Sequence, residues 1–233
     1  MSSDAVDLAA WAGDGVPDDD SRDTLFATLA HELRRETVSA LLDERAPLQV
    51  AELATRVTEA TAGRAEADDR TRVYVALVHN HLPTLEAAGF VVCDTDADSS
   101  TVEASGELVA YRRAVEAVLS AASDRSPDDA SGELTALADR RRRAVLAALD
   151  GSPSLSLAEL ASRVVDRESE TDADADSIER LEAEVRTALH HVHLPKLVGV
   201  DFARYDPETR TVERGDSEFV DRLSDAAFPS VEW

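Results

Sequence analysis

One module occurs twice in this chain, and no other feature limits its fold as tightly. Leu33 to Val57 aligns without gaps on Arg140 to Val164. Within that stretch Ala51-Glu52-Leu53-Ala54-Thr55-Arg56-Val57 matches Ala158-Glu159-Leu160-Ala161-Ser162-Arg163-Val164 at every position but one. His79-Asn80-His81-Leu82-Pro83-Thr84-Leu85 then matches His191-Val192-His193-Leu194-Pro195-Lys196-Leu197. Phe90, Asp94 and Thr101-Val102-Glu103 follow in the same order as Phe202, Asp206 and Thr211-Val212-Glu213. Matches kept in one order across about 80 residues mean that each copy folds as one unit, so the chain holds two domains of ordinary size.

Turn-forming and apolar residues divide each copy. Residues 1–20 read as an acidic mobile leader, 21–123 as domain 1, 124–132 as a linker rich in turn formers, and 133–233 as domain 2. Ala62 to Asp69 and Asp172 to Ser177 read as polar loops before a helix. The apolar stripe Leu25, Leu29, Leu33, Val38, Leu41 and Leu42 predicts a first helix from about Asp23 to Glu44. Its counterpart runs from about Glu133 to Asp150. A short extended piece follows (Pro47 to Val50; Ser154 to Leu157), then a second helix, for which Ser156 and Glu159 have capping-box spacing. A third helix carries the His-x-His-Leu-Pro motif, and its proline should kink or restart it. A hairpin comes next, with Asp206-Pro207-Glu208-Thr209 as the turn in copy 2. Glu107 to Ala122 and Ser217 to Ala227 predict closing helices. The class is mainly α with small β hairpins.

Composition narrows the setting. No apolar run reaches the roughly 18 residues of a membrane span. The start, Met1-Ser2-Ser3-Asp4, lacks a signal peptide's basic and apolar stretches, which implies a cytoplasmic protein. The single cysteine, Cys93, excludes an internal disulfide framework and a multi-thiolate metal site. Acidic residues outnumber basic ones 48 to 24, and Lys196 is the only lysine. This resembles proteins of a molar-salt cytoplasm, where excess charge keeps chains soluble and salt screens their self-repulsion. An acidic mesophile protein and a nucleic-acid mimic are the alternatives.

Helix, short strand, helix, helix, hairpin is the layout of a winged helix. Leu137-Ala138-Asp139, Arg140 to Arg143 and Val145-Leu146 resemble one signature of ArsR-like winged helix repressors. His81-Leu82, Leu85 and Ala88-Gly89-Phe90-Val91 resemble another. The motif His-x-His-Leu-Pro-x-Leu with an Asp-rich hairpin is closer still to a haloarchaeal domain family of unknown function. The resemblance implies two tandem winged helix-turn-helix domains and contact with DNA. This chain lacks the repressors' paired cysteines, carries the extra proline, and replaces Ala-Gly before the hairpin by Val200-Asp201.

Five of the six histidines lie in the two motif segments. His79 and His81, like His191 and His193, are two apart and point about 200 degrees from each other on a helix, so they do not share a metal face. Packing at the junction of helix and hairpin, or bonding to the kinked backbone, is the plainer role. No nucleophile elbow or phosphate-binding glycine loop is present, so no enzymatic activity, cofactor or small-molecule substrate is expected.

Arginines carry the binding question. Arg34-Arg35 and Arg140 to Arg143 either touch phosphates or pair with the chain's own carboxylates. On the third helix copy 1 offers Arg70, Arg72, His79 and Asn80, and copy 2 offers Arg180, Arg186, His190 and Lys196, opposed by Glu179, Glu182 and Glu184. The hairpin of copy 1 has Asp94, Asp96, Asp98 and Glu103 without a basic residue; that of copy 2 balances Asp206, Glu208 and Glu213 with Arg204, Arg210 and Arg214. The expected function is that of a DNA-binding transcriptional regulator in which copy 2 makes the main contact; the alternative is a protein-protein adaptor. The apolar stripe Leu108, Val109, Val115, Val118 and Leu119 suits a homodimer seam, a packing face on its own domain, or a bridge making the two copies an intramolecular pseudo-dimer.

Overall fold

The computed structural model describes residues 19–62, 67–94, 100–168 and 175–227. Leader residues 1–18, Asp96 and Asp98 lie outside them. The chain divides into two units between Leu134 and Thr135.

Unit 1 begins with two helices where one was expected, α1 (Asp19–Leu29) and α2 (Glu32–Leu42). The break falls at His31, which is extended (φ −99°, ψ 128°) and whose Nδ1 accepts the Leu33 N–H at 3.2 Å. A side chain that caps the second helix makes two short helices better than one long one. Arginines complete the corner. Arg34 donates through Nε to the Thr28 carbonyl and through a terminal nitrogen to Ala27, and Arg35 donates to Leu29 at 2.9 Å. These are the last carbonyls of α1, which no backbone N–H reaches.

Beyond the corner come β1 (Leu48–Gln49), α3 (Val50–Ala62) and α4 (Ala67–Ala76). A π turn over Leu77–His81 leads into α5 (Leu82–Ala87). The proline effect expected here takes the form of that turn. Leu82 donates to the Leu77 carbonyl, a wider step than the α-helical one, so that Pro83, which has no N–H, enters where no donor is needed. β2 (Val91–Asp94) and β3 (Thr101–Ala104) form the hairpin, and the antiparallel sheet has the order β1-β3-β2. Leu48 pairs with Val102, and Cys93 pairs with Val102 from the other side. Gly89, with φ at 73°, makes the turn into β2. The closing segment is two helices, α6 (Gly106–Ala110) and α7 (Arg112–Ser123). Leu108, Val115 and Val118 are buried while Val109 is 53 % exposed. Arg112 donates to the Leu42 carbonyl at 2.6 Å, so α7 lies along α2 of its own unit.

α8 (Pro127–Leu137) runs through most of the stretch read as a linker: Pro127 to Gly132 are its first turns, started by Ser126, whose hydroxyl accepts the Asp129 N–H at 3.2 Å. Proline suits such a first turn because the N–H it lacks has no partner there.

Unit 2 repeats the plan with α9 (Arg140–Leu149), β4 (Leu155–Ser156), α10 (Leu157–Glu168), α11 (Ala175–Ala188), a π turn over Leu189–His193 and α12 (Leu194–Val198). β5 (Ala203–Asp206), β6 (Thr211–Arg214) and α13 (Glu218–Ala227) complete it, with sheet order β4-β6-β5. The first helix again breaks, here at Asp139, whose carboxylate accepts the Arg142 N–H at 3.1 Å. Arg142 donates to the Ala136 and Thr135 carbonyls and Arg143 to Leu137 at 2.7 Å. Asp139 thus corresponds to His31 and Arg142-Arg143 to Arg34-Arg35, whereas Leu155 corresponds to Leu48. The gapless alignment of Leu33 on Arg140 is therefore one residue out of register, and copy 2 is a residue shorter between its second helix and first strand.

The expected capping box is present: Glu159 accepts the Ser156 N–H at 2.9 Å and the Ser156 hydroxyl accepts the Glu159 N–H at 3.2 Å. Phe202 and Phe219 stack with centroids 6.4 Å apart, fixing α13 on the hairpin base. Asp201 takes the place of Gly89 and keeps its left-handed backbone, with φ at 58°. Aspartate tolerates that region better than most side chains, which is how the Val200-Asp201 departure leaves the fold intact.

Candidate functional site

The arginine pairs of the second helices are not a binding patch. Arg35, Arg142 and Arg143 are 6, 4 and 1 % exposed, and they serve backbone carbonyls within their own units. Helix capping is the role of Arg34, Arg35 and Arg143, while the expected carboxylate pairing is found at Arg141 and at Arg142, which meets Asp139 at 3.3 Å beside its capping bonds. Arg141 is held by Glu168 in a two-pronged pair at 2.8 and 2.6 Å.

The second histidine of each motif is structural, at a different place from the one expected. His81 is buried against His31, with ring centroids 4.3 Å apart, at the α1–α2 corner rather than at the hairpin. Burial, followed by the neighbouring His31 and Arg34, lowers its pKa to about 4. His193 is buried near Asp139, Nδ1 to Oδ1 3.6 Å, and burial lowers its pKa while Asp139 opposes the shift. The first histidines, His79 and His191, point outward.

In unit 2 the outward face of α11 and its π turn meets the hairpin in a groove of about 180 Å³, lined by Leu157, Arg186, Thr187, His190, His191 and Arg210. Three local features build it. The π turn inserts its extra residue between Arg186 and the buried His193, and His190 and His191 lie over Arg186 and Thr187. Tyr205 on β5 bonds His190 Nδ1 through its hydroxyl at 2.6 Å, tying helix to hairpin. The Asp206 carboxylate accepts the Glu208 N–H at 2.9 Å and the Thr209 hydroxyl at 2.8 Å, and these bonds hold its pKa below the ordinary carboxylate value. That closed turn presents Arg210 in a left-handed conformation, φ 53°, with its carbonyl accepting the Leu157 N–H at 2.8 Å. Among the described residues no carboxylate lines the groove, in a chain with net charge −24.

Of the residues singled out in the sequence, the groove therefore gathers Arg186, His190 and Arg210. Arg204 is engaged by Asp216, and Arg214 by Asp150 at 3.3 Å and Asp221 at 2.6 Å. Arg180 and Lys196 are exposed on α11 and α12, away from the groove lining. In unit 1 Arg70 and Asn80 are exposed, and Arg72 meets Asp69 at 3.3 Å. Sequence reasoning missed Thr187 and His191 as groove residues; their signal is spacing, one helical turn apart and each next to a residue already singled out.

Counting back from the buried histidines, Tyr74, Val75, Val78 and His79 of unit 1 occupy the places of Arg186, Thr187, His190 and His191. Ser100, whose carbonyl accepts the Val50 N–H at 3.0 Å, occupies that of Arg210. Tyr74 and Val75 are 39 and 49 % exposed. The same backbone thus carries a cationic face in one unit and an uncharged, partly apolar one in the other.

A family model described as a domain of unknown function, DUF7344, matches residues 26–103 and again residues 134–213. The chain belongs to the DUF7344 family. The two matches coincide with the two copies, so each repeat of this DUF7344 protein is one family domain in tandem. Among curated proteins none matches the chain. Among the described residues no helix is long and apolar enough to cross a membrane.

Proposed function

We propose that this tandem DUF7344 protein is a DNA-binding transcriptional regulator of a haloarchaeon, without catalytic activity, whose repeats act as winged helix-turn-helix domains. One observation carries the reading: the groove between α11 and the hairpin of unit 2, lined among the described residues by Arg186 and Arg210 and by no carboxylate. In that reading α11 enters the major groove and the β5–β6 hairpin is the wing, as winged helices bind duplex DNA. The acidic surface does not oppose it in molar salt, because screening confines charge effects to within about 3 Å.

Unit 1 favours a second role beside this one. Tyr74 and Val75 are exposed where unit 2 has Arg186 and Thr187, which suits contact with protein more than with phosphate. A titration of the full chain with labelled genomic fragments in molar potassium chloride tests the proposal. Saturable binding that discriminates among fragments, weakened by Arg186→Gln, supports it. If the folded chain binds no fragment at any salt concentration, the adaptor function is the better account.

A further inference from the structure

We infer that the unit 2 groove is a seat for a single phosphate group, gripped from two sides by Arg186 and Arg210. The inference rests on the DNA-binding reading and specifies its chemistry: the groove holds a backbone phosphate, so its contribution to binding is independent of base sequence. Three features support a phosphate over a base edge. First, the donors converge. Two guanidinium groups, two imidazole rings and the Thr187 hydroxyl line one concavity of about 180 Å³, whereas a base edge exposes donors and acceptors in one plane. Second, among the described residues the lining has no carboxylate and no side-chain amide to accept a base's amino group. Third, the Tyr205 hydroxyl lies 2.6 Å from His190 Nδ1, and in the tautomer in which that hydroxyl donates, Nε2 is the ring's N–H donor for an oxyanion.

Arg186 belongs to a helix and Arg210 to a hairpin turn, so their separation is fixed by the Tyr205–His190 bond and by the Leu157 N–H bond to the Arg210 carbonyl. The backbone beneath the two cations is held in advance, and binding does not have to order it. The corresponding place in unit 1 has Tyr74 and Ser100 and forms no such seat.

The test uses the full chain and inorganic phosphate as the probe, at ionic strength held constant with potassium chloride. NMR follows the ring signals of His190 and His191, with His79 of unit 1 as the internal reference. The expected result is a saturable shift of the His190 and His191 signals, none at His79, and loss of the response in Arg186→Gln and in Arg210→Gln. Arg222→Gln, on α13 and paired with Glu218, keeps it. With duplex DNA, each groove variant lowers the slope of log affinity against log salt by about 0.9, the value of one phosphate contact. If DNA binds but phosphate leaves both rings unshifted and the variants keep the slope, the seat is wrong and the DNA reading stands. If phosphate fills the groove and no duplex binds, the seat stands and the DNA reading falls.

Discussion

Arg143 is long, charged and 1 % exposed, and its guanidinium donates to the Leu137 carbonyl at the end of α8. A charged donor on a buried carbonyl contributes more than a neutral one, and deleting it leaves an acceptor dry. Arg143→Met should lower unfolding stability by about 1–3 kcal/mol, read as a shift in denaturant midpoint at constant slope. The same change at exposed Arg140 should be nearly silent. Gly215 makes a sharper case. A methyl group there would sit 1.9 Å from the Asp201 carbonyl oxygen, which the left-handed turn fixes in place. Gly215→Ala should cost about 1–3 kcal/mol by overpacking. Ser105 fills the corresponding place in unit 1 and donates its hydroxyl to the Gly89 carbonyl at 2.6 Å, so Ser105→Ala loses that bond and the cap its oxygen gives the Leu108 N–H at 2.9 Å, without a clash. Calorimetry that found Gly215→Ala no less stable than the parent would contradict the close approach.

At the scale of elements, the π turns decide which histidine is buried. His81 packs beside His31 and Arg34, and its pKa falls from 6.5 to about 4, whereas the unfolded chain keeps the ordinary value. Between those values the unfolded state holds more protons, so stability rises with pH and is lost as pH falls from 6.5 toward 4. His81→Leu should flatten that part of the melting-temperature profile; an unchanged slope would assign the effect to other groups. His193→Leu should flatten it less, because Asp139 offsets the burial there. The elements were unevenly legible in the sequence. Ser156 with Glu159, the Asp206 turn and the Pro195 interruption are local devices, complete within a few residues, and each appears where its spacing put it. The break at His31 was not legible. Its cap is an imidazole rather than a hydroxyl or carboxylate, and the arginines that complete it act across the corner on carbonyls, which leave no mark in a side-chain pattern. The helix over Pro127–Leu137 is not legible in the stretch read as a linker, because Pro127 and the aspartates after it favour a turn and a helix start alike. For the groove, sequence spacing pointed to Arg186, His190 and Arg210, but it gave no sign that Arg204 and Arg214 are held by Asp216, Asp150 and Asp221.

At the scale of the whole molecule, the two copies are a controlled comparison within one chain: the same backbone order, the same π turn and the same hairpin register, with different groove residues. Gene duplication leaves one copy free to diverge, and the divergence here is concentrated on the outer face rather than the core. Both cores keep their leucines and valines, with Leu53 and Leu160, Val57 and Val164, and Leu85 and Leu197 each at most 1 % exposed. A cationic groove should therefore be transferable. The triple change Tyr74→Arg, Val75→Thr and Ser100→Arg replaces exposed or loop-end side chains without touching that core, so it should leave the melting temperature nearly unchanged in molar salt. If the unit 2 groove binds backbone phosphate, the variant gains a second seat, and its affinity for duplex DNA falls with salt more steeply than the parent's by about 0.9. The converse change, Arg186→Tyr, Thr187→Val and Arg210→Ser, should abolish the salt-dependent part of binding that belongs to unit 2. A grafted chain that folds and binds DNA with the parent's slope would show that the groove side chains alone do not make the site. The remaining cause would then lie in the tie between helix and hairpin, where unit 2 bonds His190 to Tyr205 and unit 1 has Val78 and Cys93.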